Sequence, residues 1–372
     1  MSLSGFRGKI ENALTSIDIE IGGGRPRDIT IHDERLFNRL LSKGSLGLGE
    51  AYMDGWWDCQ ALDELIAHAL RHRFDQLIKS RIDVFDVIKS RLLNLQTPRR
   101  SLVVGQQHYD IGNTLYEKML DKRMMYSCGY WKNATNLDQA QEAKLDLVCK
   151  KLNLTPGMRV LDIGCGWGGA ARFMAENYHV NVVGVTISKE QAEYAQAHCK
   201  GLPVEIHLMD YRSLTGSFDR IYSLGMFEHV GYKNYATYFH HVRRLLREDG
   251  LFLLHTIANN RSVKGSDPWI SRYIFPNSML PSAKDIATRI EHHFIIEDWH
   301  NFGADYDKTL ISWFKNFDAH WQELKGTYDN QFYRMWKYYL LICAGSFRAR
   351  RNQVWQIVLS PNGVPGGYTS IR

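Results

Sequence analysis

The stretch Met158 to Ala170, MRVLDIGCGWGGA, constrains the fold of this chain more than any other. Met158 to Ile163 is a short apolar run with β-branched Val160 and Ile163, the composition of a buried strand. Gly164, Gly166, Gly168 and Gly169 follow at once, which suits a turn with unusual dihedrals and close ligand approach. Past Ala170 the spacing turns helical, with Phe173 and Met174 on one side and Arg172 and Glu176 on the other. Strand, glycine turn and helix form the front of a nucleotide-binding α/β unit.

The residues after this unit keep alternating. Asn181 to Ile187, Val204 to Met209, Phe218 to Leu224 and Leu251 to Ile257 read as strands, with helices over Lys189 to Cys199 and Tyr235 to Arg247. His293 to Asp298 and Gln353 to Leu359 are late strands, separated by aromatic-rich helices between Thr309 and Phe347. The expected fold class is α/β, a doubly wound sheet over 106–372, preceded by a small, mainly helical domain over 1–91 and a linker over 92–105.

Within the first domain, Ile17 to Ile21 and Ile29 to Ile31 read as strands around Gly22-Gly23-Gly24, and Arg35 to Leu41 as a helix. Gly44 to Cys59, GSLGLGEAYMDGWWDC, reads as a loop and a short helix. Its rings, Tyr52, Trp56 and Trp57, either plug the domain core or line a site for an amphipathic ligand. Leu62 to Leu70 is an amphipathic helix. From Arg71 to Arg100 basic residues interleave with apolar ones, either as a solvated face or as a surface for anionic membrane.

The net charge of +6 favours an anionic partner surface, nucleic acid or lipid, without choosing between them. Six scattered cysteines contain no C-x-x-C pair and no metal-ligand spacing, which fits a reducing cytoplasm and no metal. The N-terminus lacks a signal-peptide core, and no apolar run reaches the ~18–20 residues that span a bilayer. Any membrane contact is therefore expected to be peripheral.

The glycine string fits two patterns, G-x-G-x-x-G of dinucleotide sites and, from Asp162, D-x-G-x-G-x-G of S-adenosylmethionine methyltransferases. A nicotinamide site needs an acid roughly 20 residues past the glycines, but the chain there reads GVTIS, Gly184 to Ser188. Asp210 follows the third strand with Tyr211 beside it as a stacking surface, and Asp162 ends the first. These residues favour adenosylmethionine.

Four further groups carry chemistry: MYSCGYW (Met125 to Trp131), GMFEHVG (Gly225 to Gly231), LLHTI (Leu253 to Ile257) and FGADYDKT (Phe302 to Thr309), the last read as a loop. Taken singly, Cys128 reads as a buried small hydrophobe, Glu228 and His229 as helix caps, and His255 as an interior histidine. Glu228 and His255 at the ends of neighbouring strands, beside the glycine turn, together mark a site.

These motifs, with GSLGLGEAYMDGWW, HYDIGN and VLDIGCGWGG, resemble the bacterial cyclopropane-fatty-acyl-phospholipid synthase family over nearly the whole chain. The resemblance implies a Rossmann-like class I S-adenosylmethionine methyltransferase domain behind an N-terminal lipid-binding domain. It implies methylene transfer to the cis double bond of unsaturated acyl chains in membrane phospholipids, through a carbocation deprotonated by bound bicarbonate. Tyr126, Ser127, Gly164, Thr186, Gln191, Asp210 and Tyr211 match positions that hold adenosylmethionine; Asp162 and Gly166, in the same turn, are expected to bind it as well, Asp162 by bracing the turn or by meeting the methionine amine. Cys128, Glu228, His255, the Ile257 backbone and Tyr306 match a bicarbonate pocket. Tyr130, Trp131 and Phe302 are candidates to stabilise the cation through their ring faces.

The implied partners are phospholipid at the anionic inner leaflet of the cytoplasmic membrane and a second copy of the chain, with no nucleic acid. Two rival readings are an RNA or small-molecule methyltransferase and a non-catalytic lipid-binding protein.

Overall fold

The structure is a computed structural model that describes residues 3–74, 112–263 and 265–372. The linker, most of the basic stretch and His108 to Ile111 of the HYDIGN motif lie outside the described residues. The chain divides into two compact units.

The first unit draws on Met1–Leu93, Lys264–Pro276 and Tyr306–Asn352. Two segments that the sequence reading assigns to the second domain thus pack with the N-terminal helices. Its elements include helices Leu3–Ser16, Arg35–Met53, Leu62–Arg71 and Asn330–Arg348. Strand β1 (Thr30–Ile31) pairs antiparallel with β2 (Trp57–Asp58). Ile17 to Ile21 is not a strand: it turns at Asp18 and touches Ile29 through a single bridge at Ile21. Nor is Gly44 to Met53 a loop, for the helix resumes past a kink at Gly44. Its glycines allow close packing, since a Cβ at Gly49 would lie 2.3 Å from Trp269. Tyr52 and Trp57 are buried core rings that pack against Tyr338, whereas Trp56 stacks under Arg39 and Arg35.

The second unit, from Asn94–Val263, Asn277–Asp305 and Gln353–Arg372, holds a seven-stranded sheet. Its strands are β3 (Arg159–Ile163), β4 (Asn181–Thr186), β5 (Val204–Leu208), β6 (Phe218–Leu224), β7 (Leu246–Asn259), β8 (Ile295–Asn301) and β9 (Asn352–Ser360). They lie in the order β5-β4-β3-β6-β7-β9-β8. Neighbours from β5 to β7 run parallel, and β8 is antiparallel to β9.

Period-two alternation divides the core between the two faces. Leu161 and Ile163 pack with Phe239, Val242 and Ile286, from helices Tyr235–Leu245 and Ala283–Ile290. Val160 packs with Leu145, Val148 and Met174, from helices Leu137–Lys151 and Gly169–Tyr178. The chain leaves β3 toward β4 and β5, then returns to β6 on the other side. The order therefore reverses between β3 and β6, where open α/β sheets bind ligands beyond their carboxyl ends.

Candidate active site

The glycine turn leaves β3 at this reversal. Gly164 has φ of +88°, and a Cβ there would lie 2.8 Å from Met226 in the segment that follows β6. The two strand exits are thus pressed together by a residue without a side chain. A Cβ at Gly166 would meet no atom within 4 Å, so this side of the turn is open to a ligand. Asp162 faces the other way, nearly fully buried beside its register partner Tyr222, whose hydroxyl donates to Oδ2 at 2.8 Å. Burial pushes the Asp162 carboxyl up to about 7 against the pull of Tyr222 and Lys144. The side chain of Asp162 therefore braces the turn.

At the end of β4, the Thr186 hydroxyl donates to Gln191 Oε1 at 3.0 Å, and both residues are buried. Ser188 caps the following helix by accepting from the Gln191 amide. After β5, Asp210 accepts from the Arg212 backbone at 2.9 Å and from its guanidinium at 2.8 Å. Burial works to raise the Asp210 carboxyl, but Arg212 outweighs it and holds it low. Tyr211 packs edge-on to Tyr238, with ring centroids 5.4 Å apart. Three successive strand ends thus present Gly164 and Gly166, Thr186 and Gln191, and Asp210 and Tyr211 along one edge of the sheet.

Beyond β6 and β7, Leu224 is the register partner of His255, and Gly225 donates its amide to the His255 carbonyl at 2.9 Å. Glu228 Oε1 accepts the Ile257 amide at 2.6 Å. The amide of Ile257 thus serves to hold Glu228. Glu228 Oε2 is buried with no hydrogen-bond partner among the described residues. Burial raises this carboxyl to about 7. His255 is buried, and burial, with the charges of Lys144 and Lys151, pushes it well below its ordinary range, so it is neutral. The side-chain amide of Gln356 faces His255 Nδ1 at 3.4 Å. The His255 ring also packs edge-on to Phe302 at 5.7 Å, and Phe302 packs against Tyr130 at 5.4 Å.

Tyr126, Ser127 and Cys128 sit on the loop before helix Leu137–Lys151. The Cys128 thiol is fully buried and lies 3.2 Å from the Gly129 carbonyl. Ser127 is held twice, its carbonyl by Gln141 Nε2 at 2.8 Å and its hydroxyl oxygen by Lys144 Nζ at 2.9 Å. The Tyr126 ring contacts Tyr116 at 5.2 Å, and Tyr116 contacts Trp167 of the glycine turn at 4.7 Å.

Tyr306 is not on a loop: it lies in the first turn of helix Asp305–Ala319. It belongs to the first unit, buried against Phe347 and Trp313.

The sequence reading passes over Gln141, Lys144, Tyr222 and Gln356. The signal for the first two was present, because Ala140, Gln141, Lys144, Leu145, Val148 and Lys151 recur at helical spacing on a buried face. Among the described residues, no cluster of three or more His, Cys, Asp or Glu side chains could hold a metal ion.

A family model described as mycolic acid cyclopropane synthetase matches residues 96–357. The cyclopropane-fatty-acyl-phospholipid synthase of Escherichia coli (strain K12) is 54% identical over 366 residues, covering 98% of this chain and 96% of that protein. The cyclopropane synthase MmaA2 from Mycobacterium tuberculosis superposes with a TM-score of 0.66 at 31% identity, over 69% of this chain and 97% of that one. Mycolic acid cyclopropane synthase CmaA1, solved as a complex with SAH and CTAB, superposes at 0.65 and 32% identity, over 69% and 97%.

Proposed function

The chain belongs to the cyclopropane-fatty-acyl-phospholipid synthases, which are S-adenosylmethionine-dependent methyltransferases, and on that premise we propose that it cyclopropanates unsaturated acyl chains of membrane phospholipids. The reaction moves the methyl carbon of S-adenosylmethionine onto a cis double bond and releases S-adenosylhomocysteine.

The observation that carries this reading is the carboxyl of Glu228. One oxygen is clamped by Ile257, the other is buried with no well-formed hydrogen bond among the described residues, the Thr256 hydroxyl exerting only a minor pull, and neutral His255 stands on the neighbouring strand. With a pKa near 7 the carboxyl is available as an acid that can donate to an oxyanion, whereas two bare anions in contact would repel. This donor set fits bicarbonate.

The chemistry asks two things of the protein. An alkene is a weak nucleophile, so the sulfonium and the double bond must be held in line at close range. The edge formed by Gly164, Gly166, Thr186, Gln191, Asp210 and Tyr211 holds the nucleoside, with Tyr126 and Ser127 beside it. As the C–S bond breaks and the first C–C bond forms, positive charge develops on the acyl chain. Ring closure then breaks a C–H bond of the transferred methyl, and that electron pair forms the second C–C bond. A proton acceptor must stand within reach. Cys128, Glu228 and His255 would hold bicarbonate, which would supply a base that can be replaced after each turnover. The rings of Tyr130, Trp131 and Phe302 stabilise the cation.

The substrate is a bilayer lipid, and no helix among the described residues is long and apolar enough to cross a membrane. In this reading the protein docks peripherally on the cytoplasmic leaflet. The net charge of +6 supports attachment to anionic lipid, and the N-terminal domain presents the acyl chain. The working assembly in this reading is a homodimer. The test is Glu228→Ala: turnover on unsaturated phospholipid vesicles should fall at least a hundredfold while S-adenosylhomocysteine affinity changes little. Retained turnover would remove Glu228 from the chemistry.

A further inference from the structure

Helix Leu137–Lys151 carries a charge that the reaction described above does not use. Lys144 is fully buried, and its Nζ donates to Ser127 Oγ at 2.9 Å. No ion pair joins it to a carboxylate among the described residues; Asp121 and Asp162 act on it only through space. Burying an ammonium without a paired carboxylate is costly, and an apolar side chain of similar volume would pack the helix at less cost. A role in binding accounts for its presence better than a role in stability.

The geometry around Ser127 says what that role is. Gln141 fixes the loop backbone by donating to the carbonyls of Ser127 and Met125, at 2.8 and 3.4 Å. A Cβ at Gly225 would lie 3.7 Å from Ser127 Cβ, so the serine stands at the carboxyl end of β6, beside the reversal of strand order. A hydroxyl oxygen that accepts from an ammonium must point its own proton elsewhere. With the ammonium behind it, that proton is best matched to an anionic acceptor.

We propose that Lys144 is a positioning residue that acts through Ser127, turning the serine hydroxyl toward the carboxylate of the methionine end of S-adenosylmethionine. The proposal rests on the methyl-donor reading given above. Lys144 thus sets affinity for the amino-acid end of the donor and leaves the nucleoside end to Thr186, Gln191 and Asp210.

The experiment is calorimetric titration of the full chain with two probes. S-adenosylhomocysteine carries the amino-acid end; methylthioadenosine is the same nucleoside thioether without it. Lys144→Met should weaken S-adenosylhomocysteine on the order of tenfold and leave methylthioadenosine unchanged. Ser127→Ala should do the same, and the double variant should be no weaker than Ser127→Ala alone. If Lys144→Met does not fold, Lys144→Gln is read in the same way. Equal weakening of both probes, unchanged S-adenosylhomocysteine affinity, or additive losses in the double variant would overturn the role of Lys144. Wild-type protein that binds neither probe would overturn the donor reading and this proposal with it.

Discussion

Glu228 is held by one oxygen: Oε1 accepts the Ile257 amide at 2.6 Å, and Oε2 is buried without a partner among the described residues. Burial raises its pKa to about 7. A carboxyl raised in the folded state binds its proton more tightly folded than unfolded, so its ionisation opposes folding. That cost is absent below the ordinary carboxylate range, grows as pH rises toward 7 and is constant above it. Glu228→Gln removes the cost, at about 1.4 kcal/mol per unit of raised pKa. The thermal midpoint of the variant relative to wild type should therefore be more favourable at pH 8 than at pH 5. Equal differences at the two pH values would contradict the burial argument. Asp162, also raised to about 7, is present in both proteins and cancels.

Gly164→Ala tests the turn. The substitution places a Cβ 2.8 Å from Met226 on a backbone with φ of +88°. Strain of this kind costs about 1–3 kcal/mol, so S-adenosylhomocysteine affinity should fall on the order of tenfold or more with little change in circular dichroism. Unchanged affinity would show that the turn does not shape the donor site.

A buried ion pair lies beside His300, whose ring packs on Phe302, the ring that meets His255. Lys151 Nζ lies 3.3 Å from Asp298 Oδ2 and 3.1 Å from His300 Nδ1, with both members of the pair nearly inaccessible. Asp298 also accepts from Ser370 and Arg372. Asp298→Ala leaves the Lys151 ammonium uncompensated and should cost about 3–5 kcal/mol in urea unfolding. Lys151→Met in that background should recover much of the loss; a further loss would contradict the pairing.

Strands β3 to β6 were legible in the sequence to within a residue or two, because strand periodicity and the turns that end it are local. Strand β7, expected over Leu251 to Ile257, runs from Leu246 to Asn259 through the polar Arg247 to Gly250, which suit a turn. Glu228 and His255 were expected at adjacent strand ends; the strands are adjacent, but Glu228 lies in the turn after β6 and His255 lies inside β7, opposite Leu224, the last residue of β6. Gly44 to Cys59 reads as a loop and a short helix, but the helix runs on from Arg35 to Met53. Gly44 takes up a kink, Gly47 meets Arg39 earlier in the helix, and Gly49 answers a contact with Trp269, far away in sequence. The Asp305 helix start was hidden by the glycine and acids of Phe302 to Thr309, which also suit a loop. Lys144 shares the helical spacing of Ala140, Leu145 and Val148, but a lysine on a helix is ordinarily assigned to solvent, and that assignment hides its enclosure. The membership of 306–352 in the first unit likewise depends on long-range packing, as at Gly345, where a Cβ would lie 2.5 Å from the Asp63 carbonyl.

The most direct test of the central claim follows the methyl hydrogens. Vesicles of unsaturated phospholipid are incubated with the protein and S-adenosylmethionine trideuterated in its methyl group, and the acyl chains are analysed by mass spectrometry. Cyclopropanation with loss of one methyl deuteron predicts the gain of a CD₂ unit per modified chain, with loss of the double bond. Retention of all three deuterons would contradict ring closure, and deuterium appearing in RNA or a small acceptor while the lipid stays unlabelled would contradict the substrate.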